Sequence, residues 1–299
     1  MNTPQVFIWT EAFNCGELLK PMLSSFLAHH NIEINVYGYK SDLDLISDLK
    51  FEQIKKHDLS EFGAEFEEVL KRSYGNGHRG TAVFWSKIIT TRPEKFLVHL
   101  DADTIFVGEC LTKLIQKLSQ DNFSIVGSRR PYKFRNYRKK GLDGFLLDFR
   151  PDTVNTDCFG FNREMILRFP EFWLRRKVQG KRCSLLPVVD FFDPISFEIL
   201  RKSGKVFYLD SDNSQPKGLP IYTSDFHGSR ISFAAVGSGI NFYKNAKTVS
   251  SPGYISFALQ SFSLYSKWIL GVDLGIPTLH SPDLEERLAR LDKELWTLT

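Results

Sequence analysis

Asp101 and Asp103 stand one residue apart where an apolar run ends, in "FLVHLDADTIFVG" at 96–108. On an extended chain alternate side chains point the same way, so the two carboxylates would share a face. Two like charges beside an apolar strand repel each other and are costly to keep ionised without a positive partner. The simplest partner is a divalent cation. Carboxylate oxygens suit hard ions such as Mg²⁺ or Mn²⁺, and an ion so held can bridge the phosphates of a nucleotide. The plainer reading is that the acids only cap the turn after a strand.

The segments ahead of the pair read as β-α-β. "QVFIWT" is a short β-rich run, Leu18, Leu19, Met22, Phe26 and Leu27 follow at helical spacing, and "IEINVYGY" is a second strand. Such an opening implies parallel strands, a crossover helix and a ligand crevice at the strands' C-terminal ends. A helical stretch around 60–72 and the Gly-rich turn of "SYGNGHRGTAVFWSKII" lead through another helix to the run at 96. Beyond the pair, "CFGFNREMILRFP" reads as a strand turning into a helix. "FFDPISFEILRKSGKVFYLD" reads as a helix with Asp193 as N-cap, Pro194 first and Gly204 as C-cap, then a strand. The tail "SPDLEERLARLDKELWTL" places Leu284, Leu288, Leu291 and Leu295 on one face after Ser281 as N-cap. Its polar face mixes both charge signs, which suits a packing or partner helix rather than a membrane anchor. The expected class is α/β: a mostly parallel sheet flanked by helices, with a helical C-terminal extension.

Composition narrows the function classes. With 42% hydrophobic, 14% aromatic and 25% charged residues in 299, the chain belongs with globular proteins of one large or two ordinary domains. The net charge of +4 is too mild to imply nucleic acid by itself. Cys15, Cys110, Cys158 and Cys183 lack CxxC spacing, so neither a zinc knuckle nor a disulfide framework is expected. A reducing compartment fits. The N-terminus lacks a basic segment followed by an apolar stretch, and no run reaches 18 apolar residues, so a soluble cytoplasmic protein is expected.

The charge is unevenly placed. "RRPYKFRNYRKK" at 129–140 holds seven cations in twelve residues with Tyr132, Phe134 and Tyr137 between them, and has no clean period, so it reads as a loop. Three roles are open to it. It is a solvated surface, a nucleic-acid track using phosphate contacts and stacking, or the holder of an anionic acceptor or an anionic membrane surface.

Taken in order, these pieces resemble the GT-A glycosyltransferases, a Rossmann-like family that transfers a sugar from a nucleotide donor, over about residues 4–230. The resemblance implies a GT-A domain over 1–235 and a helical extension over 236–299 packed on it. "VFIWTEAFNCGELLKPMLSSF" resembles the first nucleotide-contacting strand and helix, which puts Thr10 and Glu11 at the base-binding turn. "GHRGTAVFWSKIITTRPEKFLVHLDAD" is similar to the helix and strand before the family's acidic pair, with Arg79 and Lys87 placed to meet nucleotide or phosphate. "VNTDCFGFNREMI" resembles the sugar and acceptor loop, through Asn155, Thr156 and Asp157, whose plainer reading is a turn. "SDFHGSR" resembles the late segment whose His, here His227, completes the metal site beside Asp101 and Asp103; an ordinary loop histidine is the alternative. The base of an inverting enzyme would be Asp193, which has a capping duty as well, or Asp190, which has none.

The implied activity is metal-dependent transfer of a sugar from a nucleotide-sugar, a UDP-sugar first, to a hydroxyl of a glycan or glycolipid acceptor, as in polysaccharide biosynthesis. Mn²⁺ or Mg²⁺ would be the cofactor. The acceptor would be glycan or lipid-linked and anionic, with peripheral membrane contact through 129–140. The alternative from another class is a metal-dependent nucleic-acid enzyme using the same aspartates with 129–140 as a phosphate track. A sugar-nucleotide pyrophosphorylase fits less well, because "FIWTEAFN" lacks its Gly-rich signature.

Overall fold

Strand β1 (Val6–Ala12) is rich in β-branched and aromatic residues, and Phe7 to Thr10 are all buried, the pattern of a strand covered on both faces. A single 3-10 turn (Gly16–Leu18) leads into helix α1 (Leu19–His29), which buries Leu19, Met22, Leu23 and Phe26. Strand β2 (Ile34–Gly38) then pairs with β1 in parallel, Thr10 opposite Val36 and Glu11 opposite Tyr37. After the short helix α2 (Lys40–Asp44), strand β3 (Ile54–Asp58) pairs with β2, also in parallel. The β-α-β opening and its crossover helix are therefore present as expected.

The remaining elements are helix α3 (His78–Thr91), strands β4 (Phe96–Leu100) and β5 (Thr104–Phe106), helix α4 (Cys110–Ser119), strands β6 (Ile125–Arg130) and β7 (Thr153–Asn162), helix α5 (Arg163–Leu167), strands β8 (Val206–Tyr208), β9 (Ser224–Phe226) and β10 (Arg230–Phe233), and helix α6 (Gly253–Leu270). The computed structural model describes residues 6–64, 66, 68, 78–120, 122–130, 153–167, 204–209, 224–226, 230–233, 236, 240, 244 and 253–276. Seven strands form one sheet in the order β3-β2-β1-β4-β7-β6-β8, and three form a second in the order β5-β10-β9. Pairing is parallel for β1–β2, β2–β3 and β6–β8 and antiparallel for β6–β7. The expected class, a mostly parallel sheet with flanking helices, is the class found.

By compactness the chain divides into two units, one of residues 1–7, 62–99 and 114–211, the other of 8–61, 100–113 and 212–299. In the first, α3 buries Phe84, Trp85, Ile88 and Ile89. The Trp85 ring meets buried His99 at 4.2 Å and Phe159 at 5.5 Å between centroids, so His99 is a core residue here. Arg163 donates through Nε to the Ile89 carbonyl at 2.8 Å, tying the start of α5 to the last turn of α3.

Two sequence expectations for this unit need correction. Asn155, Thr156 and Asp157 are neither loop nor turn but lie inside β7. On either side of them β6 pairs with Thr153 and Val154 and with Phe159 to Phe161, across a register shift at Gly127 and Arg129, and these flanking β-branched and aromatic residues favour the strand over the turn preference of Asn and Asp. The basic run does not begin in a loop, because Arg129 pairs with Val154 and Arg130 with Thr153 at the end of β6. Residues 131–140 lie outside the described residues, as do the capped helix begun by Asp193 and the tail helix of 281–295.

In the second unit, α1 packs on β5, and Phe26, His30 and Phe106 meet edge to face or tilted at 5.1–5.5 Å. Helix α6 falls within the stretch 236–299 expected to be helical, though no helix is read at its own residues. From Leu259 to Ser266 all its side chains are buried, Gln260, Ser261, Ser263 and Ser266 included, so it has no polar stripe from which a helical period could be read. Phe262 meets Phe233 of β10 at 5.1 Å. Gly271, at φ 66°, ends the helix in the left-handed conformation that glycine adopts without strain. Among the described residues no helix is long and apolar enough to cross a membrane.

Candidate functional site

The aspartate pair follows β4, whose five residues are all buried. The extended geometry expected of the pair is not what forms. Asp101 to Thr104 make a tight turn closed by the Thr104 amide donating to the Asp101 carbonyl at 3.1 Å. Such a turn still keeps the two residues within about 7 Å of each other. Asp101 and Asp103 are half-buried, and Ala102 between them is buried. The far side of the turn is anchored twice. The Phe233 amide of β10 donates to the Asp103 carbonyl at 3.0 Å, and Ser25 of α1 accepts from the Phe106 amide at 3.1 Å while donating to the Met22 carbonyl. Backbone, helix and second sheet thus fix where the two acids stand.

Thr10 and Glu11 belong to β1 itself, and the turn they were expected to occupy begins after Ala12. Thr10 is fully enclosed, and its Oγ1 has no hydrogen-bond partner; Glu11 is half-buried. The turn after β1 has its own construction. Asn14 takes φ 57°, a left-handed conformation that costs a non-glycine residue energy. Gly16 lies against α2 so closely that a Cβ there would sit 2.5 Å from the Asp42 Cα, so only glycine fits. Beneath it, the buried Asp42 carboxylate accepts from the amides of Asn14 at 3.1 Å, Gly16 at 2.9 Å and Tyr39 at 3.3 Å. Lys244 donates to the Asn14 carbonyl at 2.8 Å and pairs with Glu17 at 2.7 Å.

The electrostatics follow from this packing. Burial pushes the Asp42 carboxyl above its usual value, while the three amides and the Lys244 ammonium pull the other way. Cys15, buried in the same turn, has its thiol pushed up first by burial and then by the carboxylates of Asp42, Asp103 and Glu17, against one backbone hydrogen bond. It is a neutral thiol. That Asp103 acts on Cys15 places the turn after β1 within electrostatic reach of the acidic turn after β4.

A consequence for ligands is that two amides of the turn after β1 are not available to a phosphate. Loops that bind phosphate do so with free backbone amides. Here the amides of Asn14 and Gly16 are already spent on the chain's own Asp42. At the aspartate turn a diphosphate would need a cation between itself and two acids. The donor set fits that cation. Two carboxylates on one rigid turn suit a hard ion that keeps several waters or takes phosphate oxygens as further ligands, and do not make a closed zinc site. Among the described residues no group of three or more His, Cys, Asp and Glu converges.

The structure thus brings Thr10, Glu11, Asp101 and Asp103 into one unit, and places Arg79, Lys87, Asn155, Thr156 and Asp157 in the other. Lys87 is exposed on α3, and Arg79 is in the first turn of that helix. Asp157 is 3% exposed, with one oxygen accepting from the Cys158 amide at 2.8 Å. Asp190, Asp193 and His227 lie outside the described residues. Asp42, Glu17 and Lys244 were missed by sequence reasoning. The sequence around Asp42 offered only an ordinary first-turn acid, and nothing local marks Lys244, which meets its partners from 227 and 230 residues away.

No protein-family model matches the chain, and no curated protein matches it in sequence. Among solved structures it is similar to mouse xyloside xylosyltransferase 1 in its apo form, at 14% identity and TM-score 0.44, over 69% of this chain and 85% of that one. It is also similar to the apo form of the glycosyltransferase GlyE of Streptococcus pneumoniae TIGR4, at 12% identity and TM-score 0.42, over 69% of this chain and 45% of that one. The chain thus spans most of the first and less than half of the second.

Proposed function

We propose that the chain is a metal-dependent glycosyltransferase that moves a sugar from a nucleotide-sugar, by preference a UDP-sugar, to a hydroxyl of a glycan or lipid-linked acceptor. The observation that carries this reading is the anchored turn of Asp101 and Asp103 at the end of a buried strand, beside a turn whose own amides are already occupied. Two half-buried acids on a turn held by β10 and α1 are a poor arrangement for a solvated cap and a good one for a cation. Asp101 and Asp103 would hold Mn²⁺ or Mg²⁺, which when bound neutralises charge that develops on a departing diphosphate.

Other roles rest on the chain's residues. In this reading the rigid turn would set where the donor's phosphates lie, and Glu11 near the end of β1 would meet the nucleoside. On sequence, His227 is the third ligand, and Asp193 or Asp190 takes the proton of the acceptor hydroxyl if the enzyme inverts. The basic run of 129–140 is assigned to an anionic acceptor or the lipid surface that carries it. The test is a calorimetric screen of UDP, GDP, CDP and dTDP with and without Mn²⁺. Binding of one of them only with metal is expected. Equal binding with and without Mn²⁺, or none at all, would sink the reading.

A further inference from the structure

We infer that Lys244 is a positioning residue for donor binding: together with Asp42 it clamps the turn after β1 in the one shape that leaves the neighbouring acidic turn open to a nucleotide. This rests on the functional reading above and names residues that the reading does not use.

Both peptide groups of Asn14 are held by charged side chains. Its amide donates to Asp42 and its carbonyl accepts from Lys244. The left-handed conformation of Asn14 costs less for Asn than for most residues but is not free, and contacts to both its peptide groups help to hold it. Asp42 alone does not suffice. It fixes amides on the α2 side, at Asn14 and Gly16, but no carbonyl. Lys244 supplies the other half, and its second hand, on Glu17, extends the hold to the 3-10 turn that starts α1. Helix α1 starts directly after the clamped turn, and its Ser25 holds the Phe106 amide of β5 just beyond the acidic turn, so the two turns are joined through one helix. A turn released from Lys244 would lose the Asn14 conformation and move towards the space a donor needs. Direct contact between Lys244 and the donor is not required; the residue acts through the turn.

The experiment uses the full chain. Lys244→Met removes the ammonium but keeps the apolar stem, Lys244→Arg keeps the charge and the donors, and Glu17→Gln weakens the clamp from its other end. Lys267→Met, which breaks an exposed ion pair with Asp273 elsewhere in the unit, is the control. Mn²⁺-dependent UDP binding is measured by calorimetry, and hydrogen exchange is measured at the Asn14 and Gly16 amides. Lys244→Met is expected to weaken UDP binding about tenfold, the scale on which small misplacements act. It should also lose protection at both amides, with melting close to wild type. Lys244→Arg should recover binding, Glu17→Gln should fall between, and Lys267→Met should change nothing. Wild-type affinity or unchanged amide protection in Lys244→Met overturns the inference while leaving the donor site standing. A wild-type protein that binds no nucleoside diphosphate with Mn²⁺ overturns the functional reading and the inference together. If Lys244→Met does not fold, wild-type binding in Glu17→Gln overturns the inference.

Discussion

After β1 the chain buries one carboxylate and surrounds it with three of its own amides; after β4 it keeps two carboxylates half-buried on a turn held from outside by β10 and α1. Both constructions lie in one unit, and both follow a buried strand. The difference is in what satisfies the negative charge. At Asp42 it is met by backbone dipoles and a nearby ammonium, so that residue serves the fold. At Asp101 and Asp103 backbone carbonyls accept the hydrogen bonds that close and anchor the turn, so the position of the acids is set by the main chain. Buried polar groups need partners, and where a fold satisfies one set completely it has no ligand capacity there.

The comparison can be broken most directly at the acidic turn. Asp103→Asn keeps the shape and drops a charge, so Mn²⁺-dependent UDP affinity and turnover should fall on the order of a hundredfold or more, the size of losing one electrostatic contact at a reacting centre. Melting should barely change, because the backbone anchors remain. Calorimetry and a melting curve on the same preparation check both halves, and unchanged metal dependence would return the pair to turn capping.

Asp42→Asn should do the reverse. Asn puts a donor where one accepting oxygen stood, so either the Gly16 amide or the Asn14 and Tyr39 amides then face another donor. The expected cost is about 1.5–3 kcal/mol of stability, the range for hydrogen bonds to a charged group, read by denaturant midpoint. Gly16→Ala should cost a comparable amount, since its Cβ would meet the Asp42 backbone and not a movable side chain. If either variant keeps wild-type stability, the turn after β1 is not the closed construction described.

How much of this was legible beforehand follows from where each signal lies. The strand before Asp101 and the helix from Leu19 were readable because burial writes itself locally, as an apolar run or a helical period. Helix α6 left no such trace, because a helix buried all round by Phe, Leu and Ser has no period to detect. Asn155 to Asp157 misled, since their turn preference is local whereas their strand state comes from a strand whose flanking residues pair with β6. The aspartate pair was visible by residue type, but its turn geometry was not, because an apolar run on either side suggests an extended chain. Lys244 was invisible: its role exists only through contacts more than 200 residues away in sequence.

Acid should separate Asp42 from its surroundings. Its folded pKa is raised, so between that value and 3.8 the folded chain holds a proton that the unfolded chain lacks, and stability from this group rises as pH falls. His29 has the opposite sign. Its pKa is lowered, by burial first and then by His30, with Glu109 opposing, so its contribution is present above 6.5 and is lost as pH falls through the folded value. Melting curves from pH 7 to 4 should therefore lose stability less steeply in His29→Gln and more steeply in Asp42→Asn than in wild type. Parallel curves for all three would show that neither group is coupled to folding.

The smallest expected effect uses Cys15, the one group described here that feels both turns. Cys110 and Cys158 are also buried thiols. In a Cys183→Ser background, which removes the cysteine outside the described residues, no thiol should react quickly with a disulfide reagent until the chain unfolds. Asp42→Asn should speed labelling of Cys15 by loosening the turn that buries it as well as by removing a charge, because burial is the first cause of its raised pKa and Asp42 the second. Asp103→Asn removes only a more distant charge. Its effect should be an increase of under about tenfold, since a full pKa unit is worth about tenfold in thiolate. Mass spectrometry of the labelled Cys15 peptide reads both rates. If Asp103→Asn accelerates labelling as much as Asp42→Asn, the two turns share one network and the contrast between them is lost; if it has no effect at all, the charge of Asp103 does not reach the turn after β1.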